Sequence, residues 1–410
     1  MQLLGLLAAF VVILILVGRR LNIGLCVLVG TGILALASLM PPRDLAVSIF
    51  QGLIQRDSVE LVLDIVVITS LAGVLKRFGL LDTMLASVTR LLGGARLAIM
   101  AVPSIIGALP VLGGAILSAP MVDLLGDRLA LTATRKAAIN LVFRHAWFYI
   151  APFSPALILS SRLTGVPLGQ FILRLTPFTV VMLLAGYVFL LRRAREVQAP
   201  ALAAEPVAGS GAVVFLRSSS PLAVGIVLSI GVGGVALPLY VSIGVGLALA
   251  LFLSRGHENF RRDWLRVTWT SIQWPIALTV ASVMVFSRVI EDSGTARALV
   301  DYLVGSGLPI WILAVSLPLT IGFLSGTSMA SVGIGFPVLV PLLSALQLPM
   351  AMVVIYTAGC LAYFASPLHL CQVFSVQYFK QTVPRLYREY WPVVACLAAL
   401  TALYVVLAFG

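Results

Sequence analysis

The sequence predicts an all-α polytopic membrane protein made of two inverted repeats of five spans, each with a re-entrant helical hairpin and a discontinuous helix. Three observations predict it. Hydrophobic residues make up 60% of the 410 and charged residues only 10%, with a mean hydropathy of +1.10, and several runs exceed the ~18 apolar residues that cross a bilayer. Ser154-Pro155 breaks one apolar run, and Ser366-Pro367 breaks another at the corresponding point of the second half. Each break follows a Gly/Ser/Pro-rich apolar segment, LPVLGGAILSAP at 109–120 and LSGTSMASVGIGFP at 324–337. Hydrocarbon offers backbone groups no partner, so breaks at membrane depth must line a cavity or be buried in protein.

In chain order, the first repeat (1–191) opens with apolar spans at 3–17, 21–40 and 58–75. The first of these resembles a signal-peptide core, but it lacks a basic n-region and a small-residue cleavage site before Arg19-Arg20, so it is read as a retained span. An amphipathic stretch at 80–92 leads into a pair too short to cross, 97–109 and 115–125, separated by Pro110 and Gly113-Gly114. A discontinuous span at 135–163 and a continuous one at 171–191 complete the repeat. The Ala/Pro/Gly-rich segment 192–220 (RRAREVQAPALAAEPVAGS and beyond) has little periodicity and reads as a cytoplasmic linker. The second repeat (221–410) follows the same order. It has spans at 221–237, 239–253 and 268–289, an amphipathic stretch at 295–304, a short pair at 310–323 and 329–343, a discontinuous span at 350–378 and a last span at 391–409. Gly79 and Gly294 hold matching places before the two amphipathic stretches.

Charge placement supports this layout. If each hairpin enters and leaves on one face, most of the 27 basic residues share a face, from Arg19 and Arg20 through Arg192, Arg193 and Arg195 to Arg385 and Arg388. The other face receives Arg43, Arg56, Arg162, Arg174, Arg288 and Arg297, and Arg144 stays inside a span. The bias marks the crowded face as cytoplasmic. An odd number of spans per repeat then inverts the second repeat and places both termini outside. The net charge of +12 fits segment ends facing anionic lipid headgroups, not nucleic acid.

The chemistry concentrates at the tips and breaks. At the first tip, Pro110, Gly113, Gly114 and Ser118 combine tight turning with hydroxyl and freed carbonyl oxygens; at the second, Ser325, Gly326, Thr327 and Ser328 do the same. The breaks, APFSPA at 151–156 and FASPLHL at 364–370, add Ser154, Ser366 and His369. A proline also frees the carbonyl one turn back, so a coupling cation, Na+ or H+, is placed near Pro110, Gly113, Ser154, Ser325, Thr327 and Ser366. Arg144 lies inside a span, where an ionisable group is costly and marks function by default, and a fixed cation near amide-rich tips favours an anion. Asp64 shares a helical face with Glu60 and Arg56 and reads first as part of an ion pair. Cys26, Cys360, Cys371 and Cys396 read as small core residues, and the histidines at 145, 257 and 369 show no metal-ligand spacing. No HExxH, GxSxG or Walker-type loop occurs, so neither enzyme nor resident cofactor is expected.

The two hairpins, the Ser-Pro-broken spans and the preceding amphipathic stretches resemble the ion transporter superfamily, which includes gluconate, citrate and dicarboxylate/sodium permeases. LPVLGGAILSAPMVD is similar to an uncharacterised prokaryotic branch of that group. The resemblance implies a homodimer whose scaffold (3–75 and 221–289) meets its partner, while transport elements (97–163 and 310–378) move as an elevator. The Ser-Asn-Thr tip of the dicarboxylate branch is replaced here by VLGG and SGTS. Together these readings point to a secondary active transporter of a small organic anion in a prokaryotic inner membrane, partnered by lipid and a second copy. The alternative is a channel or passive pore.

Overall fold

The computed structural model describes residues 2–19, 21–109, 114–196, 210–230, 237–306, 309–344 and 347–410, and within them every regular element is a helix. The first ten α-helices are α1 (Gln2–Gly18), α2 (Ile23–Ala37), α3 (Pro42–Ile54), α4 (Arg56–Arg77), α5 (Leu80–Leu91), α6 (Ala95–Gly107), α7 (Gly114–Arg128), α8 (Ala133–His145), α9 (Pro155–Thr164) and α10 (Leu168–Gly186). Ten more follow: α11 (Gly211–Ile230), α12 (Leu239–Leu253), α13 (Phe260–Thr270), α14 (Trp274–Asp292), α15 (Thr295–Ser306), α16 (Ile310–Ser325), α17 (Ser328–Leu339), α18 (Leu348–Ala365), α19 (Leu370–Tyr378) and α20 (Val383–Phe409). The second ten repeat the first in kind and order.

Their packing is reciprocal as well. α1 lies on α2 as α11 lies on α12, α2 packs on α14 as α12 packs on α4, and α7 meets α19 as α17 meets α9. Each of these pairings recurs with the two halves exchanged. Among the described residues, seven helical stretches are long and apolar enough to cross a membrane: Arg56–Arg77, Leu168–Leu191, Gly211–Ser229, Leu239–Gly256, Phe260–Asp292, Leu348–Tyr378 and Val383–Phe409. The chain is a multi-pass helical membrane protein. Shorter apolar helices, such as Ala95–Gly107 and Ser328–Leu342, lie between them.

Two elements differ from the sequence reading. The connection after residue 40 contains α3, and the span placed at 268–289 is split, with α13 ending at Thr270 and α14 starting at Trp274. Both extra helices are amphipathic. Each packs on a span of the other half, α3 on α14 through the small residues Ser48 and Gly52, and α13 on α4. An added Cβ at Gly52 would meet the Val285 backbone at 2.9 Å, so glycine permits that approach. The matched glycines behave alike: Gly79 and Gly294 adopt φ of 73° and 71°, the left-handed turn that ends one helix and redirects the chain into the amphipathic one.

The hairpins and breaks form for local reasons. In the second hairpin Gly326 caps α16 at φ 63°, and the Thr327 hydroxyl caps α17 by accepting from the Met329 N–H at 3.2 Å. In the first broken span α8 ends at His145, a 3₁₀ turn covers Ala146–Tyr149, and α9 restarts at Pro155, where a missing N–H costs nothing. In the second, Ser366 caps α18 in a similar extended conformation (ψ 132°, against 118° at Ser154), and α19 resumes at Leu370.

Candidate functional site

A cavity of about 340 Å³ opens where the second hairpin tip and the end of α6 meet the first break. Arg144, Phe148, Ala151 and Ser154 line it from the first broken span, Thr327, Ser328 and Met329 from the second tip, and Tyr363 from α18. The opposite wall comes from the starts of α2 and α14, with Asn22, Gln273, Pro275 and Thr279. Arg144 is the one charged side chain among the described lining residues.

Arg144 is held by close backbone packing. At Gly107 a side chain would overlap the Arg144 carbonyl, so only glycine lets α6 approach α8 this closely. The Ser104 hydroxyl donates to the Phe143 carbonyl at 3.0 Å across the same contact. The guanidinium lies against Gly114, the first residue of α7, where a Cβ would collide with it. Arg144 is 4% exposed, and its Nε and Nη1 have no hydrogen-bond partner among the described residues. A buried cation set at the positive end of a helix is doubly unfavourable until an anion arrives. The N-termini of α9 and α17 open onto the cavity through Ser154-Pro155 and Thr327-Ser328, adding two more amide-rich ends.

Larger cavities are less suited to a charged ligand. One of about 880 Å³ surrounds Arg162, but that cation already pairs with Asp57 at 3.0 Å and Glu60 at 2.8 Å. Another, of about 800 Å³ between α16, α18 and α20, is walled almost wholly by apolar side chains such as Trp311, Leu319 and Val394.

The predicted residues divide into two groups. Arg144, Ser154, Thr327 and Ser328 share the cavity, with Gly114 against the guanidinium. Ser118, Gly326, Ser366 and His369 do not line it. Ser118 is fully buried and donates to the Asn140 side chain at 2.5 Å. Gly326 turns the hairpin against the Leu368 backbone. The Ser366 hydroxyl donates to the Phe323 carbonyl at 2.6 Å. Pro110 and Gly113 lie outside the described residues.

The expectation of free carbonyls at the second break needs correction. The Phe364 and Ala365 carbonyls accept from Tyr390 at 3.2 Å and Tyr387 at 2.6 Å, and that of Ser366 accepts from Gln372 at 3.4 Å. Neighbouring side chains re-satisfy that backbone, so it offers no ready cation cage. Ser325 is likewise tied to Thr327, its hydroxyl donating to the Thr327 carbonyl at 3.2 Å.

Three of the cysteines and histidines come together in space. Donor atoms of His145, His369 and Cys371 lie within 4.8 Å of one another behind Tyr363, though sequence spacing gave no hint of it. Sequence reasoning also missed Asn22 and Gln273, which look like ordinary polar residues at span ends. The one signal was Asn22 standing directly before an apolar run, and its side chain does cap α2, accepting from the Gly24 N–H at 2.9 Å.

Residues 2–410 match the family described as protein of unknown function DUF401. The chain belongs to the DUF401 family. No curated protein matches it. In three dimensions this family member is similar to the YdaH transporter of Alcanivorax borkumensis, whose crystal structure is described as revealing an unusual topology. The TM-score is 0.61 at 17% identity, over 90% of this chain and 89% of that one. At that identity the likeness is one of fold.

Proposed function

We propose that this protein is a secondary active transporter that moves a small organic anion, a carboxylate, across the prokaryotic cytoplasmic membrane with Na+ or H+ as coupling ion. The observation that carries the reading is the buried Arg144 guanidinium, unpartnered at Nε and Nη1 among the described residues and set at the start of α7 in a cavity with no other charge. A carboxylate there gains a charge-assisted bond to Arg144 and amide donors from helix N-termini. The cavity's size suits a small molecule.

Transport follows from where the cavity lies. One wall comes from the set α6–α9 and α16–α19, through residues of α6, α8, α9, α17 and α18 and the turns beside them, the other from the starts of α2 and α14. In this proposal the first set slides as an elevator against the second, which also forms a homodimer interface. The halves are inverted, and both termini face outward. The reciprocal helix contacts and the fold shared with YdaH support this arrangement.

The test is uptake by the purified full chain in liposomes, with a panel of labelled carboxylates and either a Na+ or a proton gradient imposed. Saturable uptake driven by one gradient and lost in Arg144→Gln is expected. Flux that neither saturates nor responds to a gradient would instead make the protein a passive pore, and transport of cations or neutral solutes alone would refute the anion assignment.

A further inference from the structure

We propose that His145, His369 and Cys371 form a binding site for a soft monovalent metal ion, Cu(I) or its probe Ag(I), in the protein core behind Tyr363. This inference is independent of the transport reading.

Three observations converge on the site. The donor atoms of the three side chains lie within 4.8 Å of one another. Metal–nitrogen and metal–sulfur bonds of about 2.0 and 2.3 Å set trigonal donors about 3.5–3.7 Å apart, so the site closes with an inward shift of about 1 Å. The His145 ring is already oriented. Its Nδ1 donates to the Leu141 carbonyl at 2.6 Å, which leaves the Nε2 lone pair directed inward, where the Tyr363 hydroxyl lies at 3.0 Å. A backbone carbonyl on the far nitrogen is the usual way a protein fixes a metal-ligating tautomer.

His369 provides the independent sign of a missing ligand. It is 1% exposed, and neither ring nitrogen has a hydrogen-bond partner among the described residues. Its neighbours are rings, Tyr363 at 4.0 Å and His145 at 4.7 Å between centroids. A buried imidazole with both nitrogens unsatisfied calls for an ion or water.

Softness and charge select the ion. Thiolate and imidazole together favour Cu(I) over hard cations. Arg144 adjoins His145 in the chain and is itself buried, so added positive charge is disfavoured there. On binding, the thiol proton leaves to solvent, a sulfur–metal bond forms, and a monovalent ion adds no net charge. A divalent ion would leave one uncompensated positive charge beside the guanidinium, which is costly at low dielectric. The metal would clip the end of α8 to the start of α19, joining the two broken spans.

The test uses the full-length chain without a histidine tag, reduced and anaerobic in detergent, titrated with Cu(I) against a chromophoric Cu(I) chelator. One Cu(I) per chain is expected, with affinity falling at least a hundredfold in Cys371→Ser and in His369→Gln but not in Cys396→Ser. Ag(I) should raise the thermal unfolding temperature and protect Cys371 of the wild-type chain from a thiol reagent, and Zn2+ should do neither. The protection readout needs no variant and so does not depend on mutant folding. Wild-type affinity in both variants, labelling of Cys371 unaffected by Ag(I), or Zn2+ binding as tight as Cu(I) would each overturn the proposal.

Discussion

At the scale of single residues, the candidate site depends on one guanidinium and the absence of one side chain. Gly114 leaves room for the Arg144 head group at the start of α7, and a methyl there would overlap it. Gly114→Ala is therefore expected to preserve folding while weakening carboxylate-induced thermal stabilisation about tenfold in affinity, roughly 1.4 kcal/mol. If the affinity is unchanged, the ligand does not use this end of the cavity. Replacing Arg144 by Lys keeps the charge but loses the planar fork, so partial binding should survive in Arg144→Lys and disappear in Arg144→Ala. Equal binding by both variants would assign Arg144 a packing role. These residues were legible because a charge or a Gly-Gly pair is conspicuous in an apolar run. Asn22 and Gln273 were not, since polar residues at span ends are ordinary.

At the scale of elements, the breaks are stable because their freed backbone groups are largely taken up locally. Tyr356 donates to the Phe148 carbonyl at 2.8 Å, and Tyr387, Tyr390 and Gln372 serve the second break. The Ser-Pro pairs revealed the breaks but not these partners, of which Tyr356, Tyr387 and Tyr390 come from other helices. Another cross-element tie joins α9 to α4. Arg162 reaches Asp57, Glu60 and, at 3.9 Å, the fully buried Asp64, whose carboxylate oxygens have no hydrogen-bond partner among the described residues. Arg162→Ala should strip that carboxylate of its counter-charge and destabilise the protein by on the order of 3 kcal/mol. Adding Asp64→Asn should recover most of the loss. Thermal unfolding in detergent would read both steps, and a double variant no more stable than Arg162→Ala would mean Asp64 is not the group left stranded.

At the scale of the whole molecule, the second ten helices follow the first ten in order and exchange packing partners with them. The proposed topology has the repeats inverted, with the linker inside and both ends outside. In a chain freed of its native cysteines, single cysteines at Gln2 and Phe409 should react with an impermeant thiol reagent on intact cells, and one at Ser210 should react only after permeabilisation. Opposite labelling of the two termini would rule out inversion.

By itself the sequence determined the membrane class, the doubled order of elements and the positions of tips and breaks. Apolar run length, proline and glycine act over a few residues, so they are readable locally. Only the tertiary structure decided which polar groups face the cavity and which are already spoken for. Ser118 and Ser366 are satisfied by Asn140 and the Phe323 carbonyl, whereas Nε and Nη1 of Arg144 have no partner among the described residues. It alone brought His145 to His369 and Cys371 across the two halves. Hydrogen-bond satisfaction and ligand convergence depend on through-space distance, which no spacing along the chain encodes.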